Sequence, residues 1–422
     1  MNRELNVYLC GKKTGVLSEN EQLQLTFRYS GDRMQPLSVH LPVRIEEYAG
    51  EYTFPYFENL TPEGEAFEIL TRDHVAGNKI FSFLDRFGGD CAGAVSFYKT
   101  KPAKKRDEKL HVITAKKVSQ IIDRLPDDPL LTSLENPPRL SIAGAQSKFA
   151  VYKSGGKYYR SDDDYPTTHI IKIANRRFPN LLNNELFCMK LARNMELDVP
   201  AAEIKTAGRS GASAKIFLEI ERYDRMKTGS AVRRVHQEDF CQALGIVSDL
   251  KYQAGGGASL RDCFRVLEKF SCNLLTDINR FAEWIVFNYL VGNTDAHAKN
   301  LALLHTGSGI RLAPFYDLLS TEIYPVKTVD HGMAMLINGK GKYDSLGPKD
   351  FTALFGQLGL NAINMMKILG SRFGDIVSAA ENLRDELIDA GTPQEEGSYS
   401  CIYDNIIKLI KKRHTRLFSR SP

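Results

Sequence analysis

Three oxygen-bearing side chains stand close together late in this sequence. Asp295 and Asn300 lie in Gly292-Asn293-Thr294-Asp295-Ala296-His297-Ala298-Lys299-Asn300, and Asp317 follows in Phe315-Tyr316-Asp317, beyond a short hairpin-like segment. An aspartate, an asparagine five positions on and a second aspartate are the working groups of a kinase catalytic loop. The first accepts the proton of the acceptor hydroxyl, the amide oxygen holds a magnesium ion, and the last bridges metal and phosphates. Mg²⁺ is hard and takes oxygen ligands, so a carboxylate with an amide suits it. The bland alternative is an Asp/Asn-rich turn that caps helices; adding Asp317 to the spacing favours phosphoryl transfer.

Two more residues of the loop carry charge or a titratable ring. Lys299 is a candidate counter-charge for the transferring phosphoryl group. Protein kinases usually carry a lysine two positions after the catalytic aspartate, where His297 stands here. A lone histidine is more often a structural donor, so His297 is read as orienting the loop.

Upstream, Ser141-Ile142-Ala143-Gly144-Ala145-Gln146-Ser147-Lys148 precedes a strand-like run. Small residues let backbone N–H groups approach phosphate oxygens, and Lys148 adds charge; taken alone, the segment reads equally well as a turn. Lys172 is a single charge among Ile170, Ile171 and Ile173. It is either an edge charge against aggregation or the inward lysine that grips phosphates, with Glu185 on the following helix as its ion-pair partner. The functional reading of Lys172 is favoured.

These groups need a scaffold, and the pattern supplies one. Residues 1 to about 100 read as β-rich, with Gly11-Lys12-Lys13-Thr14-Gly15 as a hairpin turn, alternating Leu23, Leu25, Phe27 and Tyr29, and a helix opening at Thr61-Pro62-Glu63. A basic linker from Lys101 to Lys109 and a short helix near Val118–Leu125 follow. A hairpin turns at Ser154-Gly155-Gly156, strands cover Thr168–Ile173 and Ala214–Ile220, and Leu181–Met195 has helical periodicity. From about residue 237 the pattern is mostly helical, with glycine-rich loops at 255–257 and 339–341. The expected fold is α+β and two-lobed, protein-kinase-like, with ATP in the cleft. Its parts are an extra β-rich subdomain (1–105), a linker and N-lobe (106–236), and a helical C-lobe (237–422).

Bulk properties agree with a globular protein of several units: 422 residues, 43% hydrophobic, 25% charged and a net charge of +5. Seven scattered cysteines without a C-x-x-C pair argue against disulfides and zinc, hence for a reducing cytoplasmic setting. Neither a secretory signal nor a run long enough to span a bilayer is read, so no membrane partner is expected. The basic residues Lys408, Lys411, Lys412, Arg413, Arg416 and Arg420 read as a solvated helix face, and Lys340-Gly341-Lys342 as a flexible basic loop.

Together the motifs resemble the HipA family of bacterial serine/threonine kinase toxins, nearly end to end. They are Phe57-Glu58-Asn59-Leu60-Thr61-Pro62-Glu63-Gly64, Leu140–Gln146, His169-Ile170-Ile171-Lys172, Glu221-Arg222-Tyr223-Asp224-Arg225, Gln237-Glu238-Asp239, Asp295–Asn300 and Pro314–Asp317. The resemblance implies Asp295 as catalytic base, with Asn300 and Asp317 holding Mg²⁺. It implies ATP contacts from Ala143, Gly144, Ala145, Gln146, Ser147, Lys148 and Lys172, and from a hinge at Glu221, Arg222 and Tyr223. His297 and Tyr316 fall in the same matched motifs. Ser141 matches the family's autophosphorylated serine, where phosphate adds about two negative charges beside the phosphate loop and switches the enzyme off. A HipB-like helix-turn-helix antitoxin, operator DNA touched near Lys340 and Lys342, and a protein substrate in translation complete the expectation. The resemblance implies an aminoacyl-tRNA synthetase as that substrate, the target in the best-known relative being glutamyl-tRNA synthetase.

Two other readings compete. Small-molecule kinases of the aminoglycoside or choline type share Asp-x-x-x-x-Asn but usually show His-Gly-Asp, where Asn293-Thr294-Asp295 stands here. A pseudokinase acting only as co-repressor would not need the acids that are all present.

Overall fold

Alternating burial along two strands starts the chain's first sheet. β1 (Arg3–Leu9) pairs antiparallel with β2 (Lys12–Glu19), burying Leu5, Val7 and Leu17 on one side. The turn is tighter than expected: Cys10 and Gly11 alone close it, at φ 50° and 78°. Two positive-φ residues match the twist of paired strands, so Lys12 and Lys13 join the ladder. With β3 (Leu25–Tyr29), β4 (Tyr48–Ala49) and β5 (Val95–Tyr98) the order is β4-β3-β2-β1-β5. The helix Lys79–Phe87, capped by the Asn78 side chain, packs Phe81 and Leu84 into the same core.

The computed structural model describes residues 3–64, 67, 77–100, 111–126, 146–160, 166–175, 177–208, 215–229, 231–395 and 399–418. Ser141, Ala143, Gly144, Ala145, Arg420 and most of the helix expected after Thr61 lie outside them. The chain divides into two compact units, one of residues 1–173, 206–249 and 302–310, the other of 174–205, 250–301 and 311–422.

The first unit holds a second sheet. β6 (Val112–Ile113), β7 (Lys148–Ser154), β8 (Lys157–Tyr159) and β9 (His169–Ile173) join the strand Lys215–Glu221, which lies beside β9. Successive residues of a strand face opposite sides. Phe149, Val151, Ile171, Ile173 and Phe217 meet the helix Ala115–Arg124 through Val118, Ile121 and Ile122. The other face is therefore that of Lys148, Ala150, Ile170, Lys172, Leu218 and Ile220.

A buried ionic cluster ties the N-terminal sheet to this one. Arg222 meets Asp224 at 2.7 Å, and Arg225 meets Asp90 at 2.7 Å, with side chains no more than 6% exposed. Burial alone would raise the Asp90 carboxyl, yet Arg225, Arg234 and Arg222 hold it well below its ordinary value. Removing one partner of such a pair strands a buried charge.

The second unit is mostly helical: Leu181–Asn194, Leu260–Phe270, Leu274–Val291, Pro348–Gln357, Ala362–Arg372, Ile376–Asp389 and Tyr399–Phe418. The first of these, read in the sequence within 106–236, clusters here. Among the described residues, no helix is long and apolar enough to cross a membrane.

The C-terminal helix is not simply a solvated basic face. Arg413 is buried, donates to the Tyr289 carbonyl at 2.8 Å and pairs with Glu322. Lys412 and Lys411 pair with Asp344 and Glu381. Nor is Lys340-Gly341-Lys342 a loose loop: Ile337 and Lys340 bridge a tight turn, and the Lys340 ammonium meets Asp350 at 2.8 Å.

Candidate active site

The helix Leu274–Val291 is buried along most of its length and stops at Gly292, φ 80°. A left-handed C-cap favours glycine, and here a Cβ would also lie 2.8 Å from an Arg413 guanidinium nitrogen. Asn293 N–H returns to the Asn288 carbonyl at 2.9 Å, and the Asn293 amide donates to the Asn288 side-chain oxygen at 2.8 Å. Thr294 N–H donates to the Thr321 hydroxyl at 2.7 Å, and Ala334 N–H donates to the Thr294 carbonyl at 2.8 Å. The Tyr343 hydroxyl donates to the Asn293 carbonyl at 2.7 Å; burial pushes this phenol above its ordinary value, so it stays a neutral donor.

From Val291 to Asn300 every residue is buried except Asp295, whose side chain is 48% exposed. A rigid loop thus presents one carboxylate. Its Oδ1 accepts the Tyr252 hydroxyl at 2.6 Å, and its Oδ2 lies 3.9 Å from His297 Nε2. Asn300 turns its side-chain oxygen back to accept His297 N–H at 3.1 Å. That uses one of two lone pairs and leaves the other for a hard cation.

Asp317 sits at φ 53°, a left-handed backbone that a non-glycine residue adopts at a cost. Two bonds hold its turn to the loop: the Tyr316 hydroxyl donates to the Lys299 carbonyl at 2.5 Å, and the Asn293 amide reaches the Asp317 carbonyl at 3.5 Å. Behind it, Arg280 donates to the carbonyls of Leu312 at 2.6 Å and Ala313 at 2.9 Å. Phe315 N–H donates to the Asp198 carbonyl at 2.8 Å. The structure thus brings Asp295, His297, Lys299, Asn300, Tyr316 and Asp317 into one hydrogen-bonded assembly. Among the described residues, no three His, Cys, Asp or Glu side chains gather as a metal cage. One carboxylate and one amide oxygen instead suit an ion that takes its other oxygens from phosphates and water, as Mg²⁺ does.

The first unit places the predicted lysines together. Lys148 is directly opposite Lys172 in the β7–β9 ladder, so both ammonium groups leave one face, beside Ala150, Ile170 and Leu218. Like charges directly opposite one another disfavour a sheet. Gln146 leads into β7 and donates to the Ile173 carbonyl at 3.2 Å, and Ser147 accepts Ile173 N–H at 3.3 Å. Arg222 is committed elsewhere: its guanidinium bonds Asp224, Thr167 and the Cys91 carbonyl, and its N–H bonds the Thr168 carbonyl. Its side chain therefore cannot turn to a base. Glu221 and Tyr223 flank it at the end of the strand Lys215–Glu221.

Residues 5–98 match the HipA N-terminal domain, and residues 140–382 match the HipA-like C-terminal domain. The chain belongs to the HipA family. It is 37% identical over 336 residues to a putative kinase, Y4mE, of Sinorhizobium fredii, covering 76% of this chain and 78% of the relative. It is 30% identical over 342 residues to the serine/threonine-protein kinase toxin HipA of Shewanella oneidensis, covering 77% and 75%. The structure superposes on HipA from the Shewanella oneidensis complex of HipA, HipB and operator DNA with a TM-score of 0.82, at 25% identity, over 98% and 97% of the two chains. This is accordingly a HipA-family kinase with the expected α+β, two-lobed, kinase-like fold.

Several groups around this HipA-family site escape a reading of the sequence. Tyr252, Tyr343 and Arg413 reach the loop from distant segments, with no periodicity to mark them. Glu395 is another. It caps the helix that carries Glu185, accepting Leu182 N–H at 2.7 Å. Burial pushes its carboxyl up to about 7, against the pull of the Leu182 and Asn180 N–H groups.

Proposed function

We propose that this chain transfers the γ-phosphoryl group of Mg²⁺-bound ATP to a serine or threonine of a protein. The half-exposed Asp295 carboxylate, isolated in an otherwise buried loop, carries this reading. Asp295 accepts the proton of the acceptor hydroxyl as that oxygen attacks. Asn300 and Asp317 offer the oxygens for Mg²⁺, which when bound neutralises phosphate charge. Lys148 and Lys172 hold phosphates, together with the segment from Ala143 to Ser147, while Lys299 offers a further positive charge near the transferred group. Glu221 and Tyr223 meet adenine through their backbone, and Arg222, whose N–H and guanidinium are already bonded, offers its carbonyl alone.

The HipA kinship extends the proposal to biology. The chain acts as the toxin of a toxin–antitoxin pair that halts growth by phosphorylating a translation component, such as an aminoacyl-tRNA synthetase. Its antitoxin is a HipB-like helix-turn-helix protein, and the pair represses its own operator. Lys342, exposed beside the Lys340 ion pair, is the better placed of the two basic residues for DNA. Autophosphorylation at Ser141 turns the enzyme off. The test is a comparison of phosphoproteomes from cells expressing the wild type or Asp295→Asn. A wild-type-specific phosphosite on a translation protein supports the reading; identical phosphoproteomes overturn it.

A further inference from the structure

Tyr252 comes to Asp295 from 43 residues away and donates to Oδ1 at 2.6 Å. An O–H donor on a carboxylate at that length is a charge-assisted hydrogen bond. The ring stands edge-on to His297 with centroids 5.6 Å apart, and is 40% exposed. Core packing therefore does not explain its position.

The backbone on either side of it is fixed. Gln253 N–H donates to the Ala334 carbonyl, and the Gln253 side chain accepts Leu336 N–H, both at 2.8 Å. Gly257 passes so close that a Cβ would lie 1.8 Å from the Leu250 carbonyl oxygen. The segment is thus a fixed mount, and the half-exposed tyrosine leaves by a change of rotamer that breaks its bond to Asp295 and its edge contact with His297.

The hydroxyl-to-carboxylate bond that Tyr252 makes is the bond an acceptor serine or threonine makes to its general base before transfer. We propose that Tyr252 is an internal occupant of the acceptor-hydroxyl position. It holds Asp295 Oδ1 against water and stray hydroxyls while the rest of the carboxylate stays exposed, and an incoming protein substrate displaces it. This inference rests on Asp295 being the base. A buttressing tyrosine, which merely aims the carboxylate, predicts the opposite sign on removal of the hydroxyl.

Tyr252→Phe keeps the ring against His297 and removes only the hydroxyl. The full-length variant and wild type are assayed with Mg²⁺ and labelled ATP in two ways: phosphate release with no acceptor, and transfer to a synthetic peptide of residues 136–146. The expected result is a rise in phosphate release, and a peptide KM lowered about tenfold, the worth of one charge-assisted bond, with kcat and Mg²⁺–ATP affinity unchanged. A lowered kcat at constant KM, or no change in either constant, overturns the gate in an enzyme that is otherwise active. A wild type that does not turn over ATP, or an Asp295→Asn variant as active as wild type, overturns the kinase reading and the gate with it.

Discussion

The Tyr316 hydroxyl donates to the Lys299 carbonyl at 2.5 Å, coupling the turn that carries Asp317 to the loop that carries Asp295 and Asn300. A base and a metal-holding carboxylate on separate segments stay in register only if something of this kind joins them. Tyr316→Phe keeps the ring and loses the bond, worth about 1 kcal/mol. We expect a fall in kcat of roughly fivefold with little change in melting temperature. Steady-state kinetics checks it, and an unchanged kcat would show that the tie is dispensable.

Asp295→Asn keeps shape and removes the proton acceptor. Phosphoryl transfer should fall by at least about a hundredfold while Mg²⁺–ATP binding stays within error of wild type. Calorimetric titration beside a turnover assay separates the two. A variant that loses nucleotide binding as well would give Asp295 a different role.

Asp317 occupies a left-handed backbone, which asparagine tolerates at least as well as aspartate. Asp317→Asn should therefore melt at the wild-type temperature. Its nucleotide affinity should no longer respond to added Mg²⁺, and a retained Mg²⁺ dependence would exclude the assigned role.

Glu395 supplies a pH signature. Its carboxyl lies at about 7 in the fold, above the ordinary 4.5. Between those values the unfolded chain binds fewer protons than the folded one, so stability falls as pH rises. The contribution is fully present below pH 4.5 and lost above pH 7, a span worth roughly 3 kcal/mol. Glu395→Gln should match wild type in melting temperature near pH 4.5 and exceed it at pH 8. A gap that does not vary with pH would contradict this.

The acids of the site were legible because they are local: a spacing within one loop, and a turn just beyond it. Lys172 was legible because a lone charge breaks an apolar strand, but its placement opposite Lys148 is a matter of register. What the sequence hides is what arrives from afar. Arg413 looked like one of several solvated charges, and only the packing of the C-terminal helix shows it buried under Gly292. Arg222 looked like a hinge residue, and its guanidinium proves to be locked in an ionic cluster with Asp224. The Cys10–Gly11 turn was misread because Lys12 and Lys13, polar residues on a sheet, look like loop.

The central claim is that Asn300 and Asp317 hold a cation in the assembly that presents Asp295. A crystal structure with Mg²⁺ and a non-hydrolysable ATP analogue tests it most directly. A magnesium ion is expected at about 2.1 Å from the Asn300 amide oxygen and an Asp317 carboxylate oxygen. An ion bound to the phosphates with both side chains out of its coordination sphere would contradict it.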